Sequence, residues 1–309
     1  MSLSPYSTSI RTVLLAVTLA TAWPRPAHGQ ACCAATALVS PVRLQRLEQL
    51  GVGVRLRGRD ILGSFAASGQ YQSAQPGDVD LAQDLFAAAR VGINGQVAVL
   101  LPIVQTRRSI PGLSSWGSGV GDLTVSGRYA LLLPGEHAFL PGVALQAGVT
   151  IPTGRSVDQA HDTLATDATG TGTFEGTLGL DVQQVRGPWF VGFDGWLAQM
   201  VPRASGAIQQ SFATKLTGVV SGGYVFRNET SAGLFLAGQR QGPSRQTADG
   251  KIIDSSALSM TTAGLGVIVP AGEQWRLQGT LSLDILVSGW GRNQLGGAGI
   301  NVSLCRLWI

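Results

Sequence analysis

The chain has 309 residues, of which 13% are charged, 44% hydrophobic and 42 are glycine, with a formal net charge of +4. That is little charge and much glycine for a water-soluble domain, and no cluster of Lys and Arg with interleaved aromatics marks a nucleic-acid surface. Beyond the N-terminus no stretch reaches the ~20 consecutive apolar residues that a membrane-spanning helix needs.

The first element is a secretory signal. Arg11 supplies a positive start, residues 13–23 form a short apolar core, and Ala27-His28-Gly29 places small residues at −3 and −1 before Gln30. The apolar run is short and Pro24 and Pro26 follow it closely, which argues against an anchor. Cleavage of 1–29 removes Arg11 and Arg25 and no acids, so the mature chain is expected to carry +2.

Residues 30–50 differ from everything after them. Leu44, Leu47, Glu48 and Leu50 form a short stripe without strand alternation, expected as a periplasmic segment. It reads as a short helix or a plug at a barrel mouth, with a partly ordered tail as the alternative.

Residues 51–309 then read as one barrel domain. Strands are expected at about 51–72, 84–93, 96–106, 120–132, 138–151, 172–185, 189–200, 212–226, 229–240, 257–269, 274–287 and 297–308. The eleventh shows the pattern best: Trp275, Leu277, Leu281, Leu283, Ile285 and Val287 alternate with Arg276, Gln278, Thr280, Ser282 and Asp284. Successive side chains on a strand point to opposite faces, so each strand has an apolar and a polar face.

The connections alternate between short and long. Asn94-Gly95 is a strong hairpin signal, and Pro134-Gly135, Gly187-Pro188, Asn228-Glu229 and Ala271-Gly272 mark the other tight turns. The longer connections run over about 73–82, 107–119, 152–171, 201–211, 241–256 and 288–296. A soluble sandwich has no reason to put every short turn on one side, whereas bacterial outer-membrane barrels have short periplasmic turns and longer extracellular loops.

The expected fold is therefore all-β: a transmembrane, antiparallel, up-and-down β-barrel of about 12 strands. Apolar faces turn to outer-membrane lipid and polar faces to a lumen, and an even strand count puts both termini in the periplasm. Trp189, Trp275, Tyr224, Phe226 and Trp308 fall near the short-turn side, where an aromatic girdle belongs. The barrel-assembly machinery is the expected partner in folding, although the chain ends on Ile309 with Trp308 penultimate.

Charges expected on the polar faces are Arg90, Asp122, Arg128, Glu175, Asp181, Asp194, Lys215, Arg276 and Asp284. Both signs occur, so they either pair across a narrow lumen and fill it or set the selectivity for a small permeant. On the first strand Arg55, Arg57 and Arg59 line one face beside Leu56, which reads as a periplasmic entrance or as a misplaced register.

Three cysteines remain after export. Closing the barrel brings the region after Gln30 near the chain end, so Cys305 can meet Cys32 or Cys33, against the alternative of three unpaired thiols.

Two motifs carry a family resemblance. Gly119-Val120-Gly121-Asp122 opens the fourth strand, and Pro152-Thr153-Gly154 follows the fifth. Gly119 and Gly121 permit an unusual strand entry, and Pro152 ends ladder donation before Thr153-Gly154 turns into a loop. The pair resembles the outer-membrane transporter family associated with the meta-pathway of phenol degradation. The resemblance implies a barrel of about twelve strands and passage of a small, hydrophobic or aromatic compound; it names no substrate.

An outer-membrane hydrolase is the rival from another class and needs a histidine beside a nucleophile at the rim. Only His137 and His161 survive export. His137 falls in a short turn, and His161 lies in the 152–171 loop, which is rich in Thr, Ala, Asp and Gly and is expected to be mobile. Asp158, Asp162 and Asp167 lack a dense oxygen-ligand pattern for calcium, no metal-ligand spacing occurs, and no cofactor is called for. The chain reads as a channel and not as an enzyme, with a structural or interaction barrel of filled lumen as the alternative.

Overall fold

The computed structural model describes residues 43–73, 77–136, 139–205, 208–248 and 251–309. Twelve long strands form one closed antiparallel barrel. In chain order they are β1 (Leu50–Phe65), β3 (Val79–Val91), β4 (Gly95–Ile110), β6 (Leu123–Leu132), β7 (Gly142–Ile151), β8 (Glu175–Arg186), β9 (Trp189–Met200), β12 (Lys215–Val225), β13 (Ser231–Gln241), β16 (Leu258–Pro270), β17 (Trp275–Asp284) and β18 (Gln294–Trp308). Each pairs with the next, and β18 returns to β1, from Leu50↔Trp308 to Phe65↔Gln294 with one register shift between Ile61 and Gly63. Closure leaves no unpaired edge in the wall, the condition for spanning a bilayer with strands.

The alternation read from sequence sets the two surfaces. Leu56, Leu178, Leu197, Leu234 and Leu281 are 47–66% exposed on the outside. Their neighbours Asp84, Asp181, Gln183, Asp194 and Thr280 are buried on the inside. This is the reverse of a water-soluble protein and is the arrangement of a transmembrane β-barrel. Near the short-turn end Trp189 packs edge-on against Tyr224 at 5.0 Å, and Tyr224 against Phe226 at 5.1 Å. On the adjoining arc Arg306 lies over Trp308 and Trp275.

All twelve expected barrel strands are present, but several connections differ from expectation. The first turn does not use Asn94-Gly95 as its corner. Gly92 takes the positive φ of +66°, while Gly95 begins β4, where a Cβ would strike the Val91 carbonyl. The 107–119 segment is a hairpin rather than a loop: β4 runs on to Ile110 and pairs with β5 (Leu113–Val120). The 201–211 and 241–256 segments are also hairpins. They contain β10 (Arg203–Ser205), β11 (Ile208–Ser211), β14 (Arg245–Ala248) and β15 (Lys251–Asp254), which form a separate four-stranded sheet. A short β2 (Tyr71–Ser73) folds back on the end of β1.

The 152–174 segment is folded rather than mobile. It carries a 3-10 turn at Val157–Gln159 and lies directly on β5, so closely that a Cβ on Gly117 would overlap the Thr166 backbone. Asp162 accepts hydrogen bonds from the Ser115 and Thr166 hydroxyls, and Asp167 accepts from the amides of His161 and Asp162 and from Arg155. Arg203 links this segment to the projecting sheet by donating to the Thr171 carbonyl and pairing with Asp158.

Candidate functional site

The lumen is where the inward faces converge, and at the short-turn mouth it is occupied by the chain itself. Gln49 joins β1 to the rim, its amide donating to the Trp308 carbonyl. Residues 43–48 turn back inside, with Arg43, Leu44 and Glu48 all buried. They form a turn closed by Glu48 N–H on the Gln45 carbonyl, not the short helix expected from the leucine stripe. Apolar and polar contacts both hold it. Leu44 packs in a cluster with Phe86, Ala88, Ala98, Cys305 and Leu307. Arg90 donates to the Glu48 carbonyl at 2.8 Å and to the Gln45 carbonyl. Arg276 donates to the Arg43 carbonyl at 3.0 Å and pairs with the Glu48 carboxylate. Deeper in, Arg43 reaches Asp181 at 3.1 Å.

Asp181 and Asp194 sit directly opposite each other on β8 and β9, and both are buried. Two facing carboxylates in a confined space repel, so cations must stand close. Arg43 and Arg128 provide them at Asp181, Gln146 donates to Asp194, and Trp196 Nε1 donates to Gln146. Asp181 Oδ1, Asp194 Oδ2 and the whole Gln183 amide have no hydrogen-bond partner among the described residues. Buried polar atoms of that kind belong to a hydrated cavity rather than a dry core.

The β1 arginines do not lie at an entrance, and their register is correct. They run up the inner wall, opposite Ser303, Asn301 and Gly299 of β18. Arg55 and Arg57 both bind Asp84, at 2.6 and 2.8 Å, and Arg59 binds Asp284 at 2.7 Å. Lys215 pairs with Glu175 at 2.9 Å.

The nine sequence candidates thus separate into groups. Arg90 and Arg276 hold the turned-in segment; Arg128, Asp181 and Asp194 form the deep cluster; Asp284 meets the arginine wall; and Glu175 pairs with Lys215. Asp122 leaves the lumen set, because both its carboxylate oxygens are committed to the loop above. It accepts from the Gly154 amide at 3.0 Å and from the Thr171 amide and hydroxyl at 2.7 and 2.9 Å. Thr153 completes the joint, donating to the Gly121 carbonyl and accepting from the Leu123 amide. The rim motif of Gly119, Gly121, Asp122, Pro152, Thr153 and Gly154 is therefore a clasp for the 152–174 segment.

His161 is exposed, with Nδ1 3.5 Å from Asp167, while Ser115 is engaged with Asp162 and Thr166. His137 lies outside the described residues, as do Cys32 and Cys33; Cys305 is buried and free of a disulfide among the described residues. Sequence reading missed Asp84, Arg43 and Gln146. Asp84 was harder to read because Ala82, Phe86 and Ala88 flank it on the inward face of β3.

A closed twelve-stranded wall, apolar outside and charged inside, defines a transmembrane barrel of the bacterial outer-membrane type. The chain belongs to the family described as "Putative MetA-pathway of phenol degradation", whose model matches residues 63–304. Its fold is similar to that of the COG4313 outer membrane channel from Pseudomonas putida F1, with a TM-score of 0.68 at 16% identity over 87% of this chain and 98% of that one. The translocator domain of the autotransporter NalP from Neisseria meningitidis aligns at 0.46 and 15% identity over 98% of each chain. The KdgM porin aligns at 0.46 and 8% over 84% of this chain and 99% of that one. No curated protein matches the sequence.

Proposed function

We propose that the protein is an outer-membrane channel for passive passage of a small compound, hydrophobic or aromatic in character. In this reading its long-loop end faces outward, and both termini lie in the periplasm. The observation that carries the reading is the inward wall of charged and polar side chains, interrupted at the short-turn mouth by the short turned-in segment 43–48. Residues 43–48 enter from one end and touch the wall through one apolar side chain, two ion pairs and the hydrogen bonds of Arg90 and Arg276. Membership of the phenol-degradation family and the likeness to an outer membrane channel support it.

Residues 43–48 act as a plug whose withdrawal widens the path. The test is single-channel conductance of the refolded mature chain beside a form lacking 30–48, both checked for heat-modifiable gel migration. Larger current steps in the shortened form are expected. A folded, shortened barrel without conductance would leave the filled structural barrel as the better account.

A further inference from the structure

We propose that the inner wall of β1 is a binding track for a small organic monoanion, a carboxylate in the first instance. The inference rests on the channel reading for its meaning in transport and on the arginines alone for its binding chemistry. Arg55, Arg57 and Arg59 occupy alternate positions on one strand, so their Cα atoms follow one another about 7 Å apart and their side chains share the inner face. Two of them share a single carboxylate: Arg55 gives Nε to Asp84 Oδ2, and Arg57 gives Nε and Nη2 to its two oxygens. Asp84 is wholly buried, so one positive charge of that trio is left without a counter-charge. Arg59 spends Nη2 on Asp284 and the Leu295 carbonyl. The Arg57 and Arg59 side chains remain 41% and 38% exposed inside the barrel, open to a solute.

The opposite wall carries no surplus charge of its own. In the strand order β9 stands six places from β1 in a ring of twelve, directly across the lumen. Asp194 on β9 and Asp181 on β8 present carboxylates there, and Arg43 and Arg128 meet Asp181. Two carboxylates and two guanidinium groups balance there, so the surplus positive charge sits on β1 and an anion crossing the lumen meets that wall with its charged end. Guanidinium groups recognise carboxylates through paired N–H donors, and successive sites of that kind pass an anion along instead of trapping it.

The two open arginines can be neutralised without stranding their partners. Asp84 keeps Arg55 when Arg57 is replaced, and Asp284 keeps the Thr262 hydroxyl and the Gly297 amide when Arg59 is replaced. The test is ligand-observed NMR on the refolded mature chain in detergent, titrated with benzoate, benzyl alcohol and benzylamine. Benzoate is expected to bind at least tenfold more tightly than the other two. The double variant Arg57→Gln, Arg59→Gln is expected to lose that margin, and Arg57→Lys to keep most of it. Arg240→Gln, on the outer face, is expected to leave it unchanged. Equal binding of benzoate and benzyl alcohol, or full benzoate binding by the folded double variant, overturns the proposal. Because binding is read without current, a barrel that binds benzoate but does not conduct would sink the channel reading and keep this one. A conducting barrel with no preference for benzoate would do the reverse.

Discussion

Asp122 and Gly154 stand 32 residues apart in the chain and 3.0 Å apart in the fold, the carboxylate of one receiving the backbone amide of the other. The contact explains why a Gly-x-Gly-Asp entry and a Pro-Thr-Gly exit occur together. Gly121 must lack a side chain because its Cβ would press on Pro102, and Gly154 because its Cβ would press on Gly170. The clasp holds the base of the 152–174 segment while Asp162 and Asp167 hold its middle. Asp122→Ala removes three hydrogen bonds to a charged acceptor, each worth about 1.5–3 kcal/mol at most in a part-exposed setting. The segment should loosen while the barrel stays folded. Trypsin, cutting after Arg155, should then nick the variant at least tenfold faster than the parent, with heat-modifiable migration unchanged.

The same segment should be acid-sensitive. Hydrogen bonds from Ser115 and Thr166 hold the Asp162 carboxyl below its ordinary range, and the His161 amide and Arg155 do the same for Asp167. A carboxylate depressed in the folded state stabilises that state fully above its unfolded pKa, near 4, and loses the contribution as pH falls through the depressed value. Hydrogen exchange of residues 156–169, corrected for intrinsic rate, should be slow at pH 6 and rise progressively below pH 4. Exchange that is unchanged down to pH 2 would show that the two carboxylates do not order the segment.

The barrel was legible in the sequence because lipid imposes a simple rule, and strands such as β17 obey it residue by residue. Legibility failed where that rule does not operate. The β4–β5 hairpin and the β10, β11, β14 and β15 sheet project beyond the wall, and segments such as Leu113–Val120 show Ser and Gly in place of alternation. The lumen was half legible. Asp181, Asp194 and Arg128 stood out against apolar neighbours, but nothing local in residues 43–48 says that Arg43 reaches a strand almost 140 positions later. The arginine wall was visible as three residues, and its meaning depended on Asp84, which only the β1–β3 register places beside it.

Strand glycines divide by the space at their Cβ. At Gly53 a Cβ would lie 2.9 Å from Cys305 Cα and closer still to the Phe86 ring, beneath the Leu44 cluster, whereas at Gly279 nothing stands within 4 Å. Overpacking costs about 1–3 kcal/mol, and alanine at an open strand position costs nothing or helps slightly. Gly53→Ala should lower the urea midpoint of the detergent-folded barrel, and Gly279→Ala should not. Equal midpoints would mean that the Phe86 ring and β18 yield to the added methyl group.

The Arg276–Glu48 pair should decide how firmly the plug is seated. Both side chains are buried, and Arg276 also carries the Arg43 carbonyl, so it grips the segment at two points. Removing one partner of a buried pair leaves an uncompensated charge and costs about 3–5 kcal/mol, while replacing both by neutral groups of similar size costs far less. Arg276→Ala should therefore expel the segment, because Glu48 regains water by leaving. The combination Arg276→Met with Glu48→Gln should retain it, since Leu44 and Arg90 still hold. Arg43 is buried in the seated state, so tryptic cleavage after Arg43 reports the expelled fraction independently of any current. Fast cleavage in the single variant and slow cleavage in the double one would place the ion pair in control of the plug. Slow cleavage in both would assign that control to the Leu44 cluster.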